Sequence, residues 1–132
     1  MNWLLDTNAC IRYLNGRAPK LRQRVSAAQP GDLLVCSVVK AELYYGSARS
    51  TDPVRSLPKQ NVFLSLFPSL AFDDAAAEAY GRIRAELENK GQPIGPNDLL
   101  VAAIALANGV TLVTHNTNEF GRVTGLLTDD WE

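Results

Sequence analysis

Residues 2–8 read Asn2-Trp3-Leu4-Leu5-Asp6-Thr7-Asn8. The run from 2 to 5 is short and apolar and stops at an acid, which is typical of a buried strand. Apolar runs at 33–36, 70–72 and 111–114 predict three more strands. Because parallel sheets bind ligands beyond the carboxyl ends of their strands, we expect Asp6 to lie at a ligand-binding edge.

The segments between these strands have the caps and the apolar spacing of helices. Asn8 is the predicted cap of a first helix that ends near Asn15, and Ser37 is the predicted cap of a third. Asp73 should cap a long helix that Gly91 ends. The predicted helices cover residues 8–15, 20–28, 38–48, 54–67, 75–89 and 97–108. After the last strand we expect short turns. The alternation of strands and helices indicates an α/β fold with parallel pairing through right-handed crossovers.

Size and composition limit the class of protein. The chain has 132 residues, of which 46% are apolar and 20% charged, and this is enough to bury a core without disulfide or metal staples. We expect one domain over residues 1–132. The longest apolar stretch, 99–107, is too short to cross a bilayer, and residues 1–6 lack the basic start and long apolar run of a secretory signal. We therefore expect a cytoplasmic protein with no membrane segment.

The two cysteines, Cys10 and Cys36, lie in apolar surroundings, and the chain has one histidine, His115. A zinc site of nitrogen and sulfur ligands does not fit this supply of ligands. We interpret both cysteines as reduced, buried thiols.

Charge is distributed unevenly along the chain. The net charge is −1, yet residues 1–60 carry nine Lys or Arg against four Asp or Glu, and residues 61–132 carry four against ten. No acid lies between Asp6 and Asp32, a stretch that contains the basic residues Arg12, Arg17, Lys20, Arg22 and Arg24. Such a patch can hold a polyanion such as RNA, although a solvated helical face explains the same charges.

Three carboxylates are the main candidates for chemistry. Asp6 and Glu42 flank the first two strands at the same sheet edge, and Asp98 begins a helix that can approach that edge. Glu42 shares a helical stripe with Val38 and Tyr45, where burial of a lone carboxylate is costly. Each acid alone has a structural explanation. Asp6 can cap a helix or form a turn, Glu42 can lie at the margin of the apolar stripe, and Asp98 is favoured by the helix dipole. The functional interpretation rests on the three together.

If these carboxylates converge, a cation has to hold them together. Two unit charges about 5 Å apart repel by roughly 3 kcal/mol at an effective dielectric constant of 20, against a total domain stability of about 5–15 kcal/mol. Ligands that are all oxygen favour Mg²⁺ or Mn²⁺ over zinc. Such an ion binds phosphate oxygens and lowers the pKa of bound water. The three acids therefore predict a site that cleaves phosphodiesters.

The last predicted strand runs into Val113-Thr114-His115-Asn116. Asn116 offers a carbonyl oxygen to a metal-bound water or to substrate, although a turn residue needs no such role. Thr114 can orient a carboxylate through its hydroxyl. His115 is a candidate general base, but an exposed loop histidine is usually incidental and a metal-activated water makes it unnecessary.

In these residues the chain resembles the PIN-domain ribonucleases, in particular the VapC toxins of bacterial toxin–antitoxin pairs. The matching segments occur in the expected order at residues 5–8, 37–46, 94–98, 112–120 and 130–131. The resemblance implies a PIN-like three-layer α/β/α sandwich with a central, mainly parallel sheet. It implies that Asp6, Glu42 and Asp98 are the acidic metal ligands and that Thr114 supports the site. The fourth acidic position of the wider superfamily falls on Asn116, which implies a weak or absent second metal ion.

The resemblance also implies a function. The implied protein is a toxin that acts as a Mg²⁺-dependent endoribonuclease and can use Mn²⁺ instead. A metal-activated water cleaves the RNA and leaves 5′-phosphate and 3′-hydroxyl ends. The implied substrate is tRNA, and in some relatives initiator tRNA. The implied partners are a second copy of the chain and a VapB-like antitoxin. The antitoxin inserts a segment into the active cleft, often with an arginine or lysine.

Two other classes of protein stay open. A phosphoaspartyl protein would use Asp6 as nucleophile, but the chain lacks the second acid of the phosphatase pattern and the acidic pair of receiver-like sites. A catalytically silent module would bind only RNA or protein, with Tyr44 and Tyr45 as part of its interface and the acids incidental. RNA binding that persists without metal and without cleavage would favour this second class.

Overall fold

The computed structural model describes all 132 residues and contains one sheet of five strands. The strands are β1 Trp3–Leu5, β2 Leu33–Cys36, β3 Ser69–Leu70, β4 Thr111–Val113 and β5 Thr128–Asp129. Their order is β3-β2-β1-β4-β5, and every neighbouring pair is parallel. In the central strand, Leu4 is paired with Leu34 on one side and Leu112 on the other. The predicted parallel α/β sheet is confirmed.

Seven helices connect the strands. They are α1 Thr7–Asn15, α2 Pro19–Ala27, α3 Ser37–Arg49, α4 Pro53–Leu64, α5 Asp74–Asn89, α6 Pro96–Asn108 and α7 Thr117–Phe120. The chain first moves from β1 to β2 and β3, and it then crosses to β4 and β5 on the other side of β1. Because such crossovers are right-handed, α1 to α4 lie on one face of the sheet and α5 to α7 on the other. The three-layer sandwich is confirmed.

The core determines where the functional side chains can lie. Thirty buried apolar residues form one cluster, to which β2 contributes all four of its residues and α6 the run 101–105. A helix that is apolar on most sides is held inside the fold, and the buried residues of α6 therefore fix its position against the rest of the core. Cys10 and Cys36 are free and buried in this core, as predicted. No helix has the length and apolar character needed to span a bilayer.

Two predicted helix caps are wrong. Asp6, rather than Asn8, caps α1, and its carboxylate accepts a hydrogen bond from the backbone N–H of Ala9 at 2.7 Å. The helix begins directly after the strand, so the residue that ends β1 already occupies the capping position. Ser37 is the first residue of α3, and the capping position falls on Cys36, whose side chain makes no capping bond. The predicted cap of α5, Asp73, is confirmed.

The prediction is least accurate for the shortest elements. The carboxyl-terminal part contains α7 and β5, where only turns were expected. β5 pairs two residues with β4, and α7 has four residues, so neither is long enough to show a periodicity. β3 lies at 69–70 rather than 70–72, and α4 ends at Leu64 rather than at residue 67.

Candidate active site

Asp6 lies at the point where the order of the sheet reverses. It directly follows β1. The chain continues from β1 to β2 on one side of this strand, and β4 lies on its other side. This is the position at which open α/β sheets bind ligands. The side chain is only 6% exposed. Burial raises the pKa of Asp6, hydrogen bonds from Thr114 and Ala9 oppose this, and the charges of Glu132 and Glu42 raise the pKa further.

Glu42 reaches the same place from the second turn of α3. The hydroxyl of Thr7, the first residue of α1, donates a hydrogen bond of 2.5 Å to Glu42 Oε1. This contact joins residues 35 positions apart in the chain and ties the carboxylate of α3 to the start of α1. A side-chain partner is what a glutamate beside an apolar stripe requires.

Asp98 completes the group from the first turn of α6. It is half-buried, and its pKa rises from the ordinary value of 3.8 to about 6. Burial is the main cause, followed by the charges of Glu119, Glu42 and Asp6. The structure thus brings the three predicted carboxylates close enough for their charges to act on one another, although they come from distant parts of the sequence.

Glu119 is an acidic residue of this site that the sequence analysis missed. Among the neighbouring charges it has the largest effect on the pKa of Asp98. Asn116 Nδ2 donates a hydrogen bond of 2.8 Å to Glu119 Oε2 and so fixes the carboxylate. The acid three residues after Asn116 has the spacing of a capping box, and Asn116 occupies the cap position of α7, but this pattern predicts the start of a short helix and not the approach of Glu119 to Asp98.

Thr114 lies beneath these carboxylates. It is 1% exposed, its hydroxyl bonds to the carboxylate of Asp6, and Thr114 Oγ1 accepts a hydrogen bond of 3.0 Å from the backbone N–H of Asn116. Since Asn116 N–H supplies one proton, the proton of the hydroxyl is directed to Asp6. His115 is exposed, and its Nδ1 lies 3.0 Å from Asp130 Oδ2.

A second group of candidate ligands lies beside the first. His115, Asp130 and Glu132 have ligand atoms within 4.8 Å of one another. These groups already have partners, because His115 bonds to Asp130 and Glu132 forms an ion pair with Arg12. The carboxylate oxygens of Asp6, Glu42 and Asp98 do not all lie within this distance of one another. Two oxygens bound to one Mg²⁺ lie at most about 4.2 Å apart, so the three side chains would hold such an ion partly through bound water, which Mg²⁺ commonly keeps, or after a change of rotamer.

Two adjoining depressions lie beside this site, and of its four carboxylates only Glu42 lines one of them. One is a groove of ≈ 690 Å³ whose lining includes Thr7, Asn8, Ile11 and Glu42. The other is a cleft of ≈ 560 Å³ that shares Asn8 and Ile11 with the groove and adds Asn116 and two arginines. An anionic centre that can bind a divalent cation, next to a cationic cleft, suits an extended polyanion.

Comparisons with known proteins identify similar chains. Residues 3–126 match the family model described as the PIN domain. The chain is 41% identical to the "tRNA(fMet)-specific endonuclease VapC" of Shigella flexneri, over 99% of this chain and 98% of that protein. It is 36% identical to "Ribonuclease VapC2" of Rickettsia felis, over 100% and 99% of the two chains.

Two solved structures resemble this fold over their whole length. The first is VapBC2 from Rickettsia felis bound to a DNA fragment from its promoter, with a TM-score of 0.94, 35% identity and 100% coverage of both chains. The second is DNA-bound VapBC from Salmonella typhimurium, with a TM-score of 0.94, 36% identity, and coverage of 100% and 99%.

Proposed function

The chain belongs to the PIN-domain family and is a ribonuclease of the VapC type, and on this premise we propose that it is the toxin of a type II toxin–antitoxin system. We propose that it is one PIN domain over residues 1–132 that acts in the cytoplasm. Its activity is hydrolysis of RNA phosphodiesters with Mg²⁺, for which Mn²⁺ can substitute.

One observation carries the assignment of the site. The pKa of Asp98 is raised to about 6, in part by the charges of Asp6, Glu42 and Glu119. A carboxyl group whose pKa is raised by burial and by neighbouring carboxylates is held in place at a cost in stability, which is typical of functional sites. All four offer carboxylate oxygens, the donors that a hard divalent cation prefers. Asp6, Glu42 and Asp98 would hold the ion, with Glu119 beside them.

When bound, Mg²⁺ supplies a Lewis acid for a phosphate oxygen and makes a coordinated water more acidic. The residues of the chain orient the carboxylates for this role. Thr114 donates to Asp6, Thr7 donates to Glu42 at 2.5 Å, and Asn116 donates to Glu119 at 2.8 Å. Partners of this kind fix the direction of metal ligands, and their loss typically lowers metal affinity or activity about 10- to 100-fold.

The relatives suggest the substrate and the partners. The Shigella flexneri relative is named for tRNA(fMet), and the similar structures from Rickettsia felis and Salmonella typhimurium are VapBC complexes. We infer that this chain cleaves tRNA, with initiator tRNA as the first candidate, and that a VapB-like antitoxin neutralises it. An arginine or lysine of the antitoxin would be attracted to the four carboxylates. We also infer that the chain forms a homodimer.

The test is cleavage of initiator tRNA by the purified chain, with an elongator tRNA for comparison. Cleavage should require Mg²⁺ and stop with a chelator. Asp6→Asn and Asp98→Asn should each lower the rate by at least about 100-fold, because each removes a charged ligand of the ion. Asp74→Asn is the matched control, since Asp74 is an exposed acid in the first turn of α5. Equal rates for the parent and both ligand variants would refute the assignment. RNA binding without any cleavage would favour a silent binding module.

A further inference from the structure

The arginines of α1, of α2 and of the turn between them differ in how the fold uses them. Arg22 donates a hydrogen bond of 2.9 Å to the carbonyl of Tyr13 and lies 4.9 Å from the centre of its ring. Arg24 lies 4.5 Å from the ring centre of Trp131. These two guanidinium groups are engaged in packing within the chain, which lowers their availability to a ligand.

Arg12 and Arg17 instead line the cleft of ≈ 560 Å³ beside the carboxylates. Of the eight residues that line this cleft, one, Ile11, is apolar. The polar residues that matter here are Asn8, Arg12, Asn15, Arg17, Asn116 and Glu132. The side chains that line the cleft include two arginines and one glutamate, and Arg17 is the cation that no acidic side chain of the lining pairs with. A lining of this composition suits a charged, hydrogen-bonding ligand rather than an apolar helix.

The two arginines are prepared for a ligand in different ways. Arg12 forms an ion pair with Glu132, whose side chain is mostly buried, and this contact fixes the position of the guanidinium group. The side chain of Arg17 makes no hydrogen bond, ion pair or ring contact within the chain, although its backbone N–H donates to the carbonyl of Arg12. The amides of Asn8 and Asn15 have no side-chain partner either, and residues 8, 12 and 15 lie along one face of α1.

The cleft is continuous with the proposed site of cleavage. Asn8 lines both the cleft and the groove that contains Glu42. Asn116, also in the cleft, holds Glu119, and the charge of Glu132 acts on Asp6. A nucleic acid strand whose scissile phosphate lies at the carboxylates can therefore continue into this cleft on one side.

We propose that the cleft is a phosphate subsite, which binds a backbone phosphate of the RNA strand next to the one that is cut. This inference rests on the proposed ribonuclease function. Arg12 and Arg17 supply the opposite charge, and the amides of Asn8 and Asn15 donate hydrogen bonds to phosphate or ribose oxygens. Because these contacts are made to the backbone, they hold the strand in register and do not read its sequence.

The test compares Arg17→Gln and Arg12→Gln with Arg82→Gln under steady-state conditions, on an RNA that the parent cleaves. Arg82 is an exposed basic residue of α5, on the other face of the sheet, and its substitution removes the same charge. Arg17→Gln should raise KM about tenfold and change kcat by less than about twofold, since it removes a charge-assisted contact with the substrate. Arg82→Gln should change KM by less than about twofold.

A modified oligonucleotide tests the contact itself. A neutral methylphosphonate replaces, one position at a time, each phosphate that flanks the cut. At one position, the modification should weaken binding by the parent about as much as the Arg17→Gln substitution weakens binding of the unmodified RNA. The same modification should not weaken binding by Arg17→Gln any further. The side chain of Arg17 has no partner in the chain, so this variant should fold normally even if Arg12→Gln does not.

Three results would overturn the proposal. The first is that both arginine variants have the same KM as Arg82→Gln. The second is that every neutralised phosphate weakens RNA binding by Arg17→Gln as much as it weakens binding by the parent. The third is that the variants cleave RNA normally but escape inhibition by the antitoxin, which would assign the cleft to that protein. If the parent cleaves no RNA at all, the proposed function fails. In that case, binding of the same oligonucleotides to Asp98→Asn, with and without Arg17→Gln, still tests the cleft.

Discussion

Removal of the charge of Asp98 should make the chain more stable without metal and inactive with it. The pKa of this carboxyl is about 6 in the folded chain, against an ordinary value of 3.8. The folded state therefore holds the proton more tightly than the unfolded state, and ionisation of Asp98 disfavours folding. This cost is absent at pH values below about 4, grows as the pH rises to about 6, and is complete above that.

The size of the effect follows from the same comparison. The difference between the two pKa values corresponds to about 3 kcal/mol at full conversion. Because Asp98 is only partly buried, solvent screening reduces this to about 1–2 kcal/mol. Asn also loses the attraction between a carboxylate and the amino end of α6, about 0.3–1 kcal/mol. Asp98→Asn should therefore raise the free energy of unfolding of the metal-free chain by about 1 kcal/mol, or roughly 3–5 °C in Tm.

The assay is thermal or urea unfolding with a chelator at about pH 7.5 and again at about pH 4.5, where most of the gain should be absent. Asp74→Asn should show no gain at either pH, since its carboxylate is exposed. Addition of Mg²⁺ should raise the Tm of the parent and of Asp74→Asn, but not that of Asp98→Asn. A destabilised Asp98→Asn, or one that Mg²⁺ stabilises as much as the parent, would refute the reasoning.

Three further predictions concern the same residues. Thr114→Val keeps the shape of the side chain but removes the donor to Asp6, so cleavage should fall about 10- to 100-fold and urea unfolding should show a loss of about 1–2 kcal/mol; a variant with normal activity would contradict the orienting role. Glu119→Gln removes the neighbouring charge with the largest effect on Asp98, so carboxyl NMR titration should show a lower pKa for Asp98; an unchanged value would remove Glu119 from the site. Cleavage at limiting Mg²⁺ should fall as the pH drops below about 6, because protons compete with the ion at Asp98; a higher Mg²⁺ concentration should move the midpoint to lower pH, and a profile that does not respond to Mg²⁺ would contradict this competition.

The sequence predicts the fold correctly where the local pattern and the tertiary contacts favour the same element. The strands at 33–36 and 111–113 are short apolar runs whose residues are all buried, so the run itself marks the element. α5 is capped by Asp73 and begins next to it, as its sequence indicates. β5 could not be predicted, because its two residues pair with β4 at the edge of the sheet only after the rest of the chain has folded. Backbone pairing carries no signal in so short a segment.

The site was predictable where position along the chain determines position in space. Asp6 follows a strand, Glu42 lies one turn into the helix after the next strand, and parallel strands end at one edge. Glu119 depends instead on how the short helix α7 turns back towards Asp98, which no local rule specifies. The use of the arginines was equally hidden, because the contact of Arg24 with Trp131 joins the second helix to the far end of the sequence.

Asp6 connects the stability of this fold to its chemistry. Its carboxylate caps α1 through Ala9, and the same group accepts from Thr114 and faces the other acids. A cap contributes about 1 kcal/mol, and Asn fills the capping position nearly as well as Asp. An alanine at this position would therefore weaken α1 and remove a proposed metal ligand together, so that a loss of activity would have two explanations. Asn keeps the cap and removes only the charge. Helix α1 also carries Thr7, which donates to Glu42, and Asn8 and Arg12, which line the proposed phosphate subsite. The carboxylate of Asp6 therefore fixes the start of the helix on which both depend.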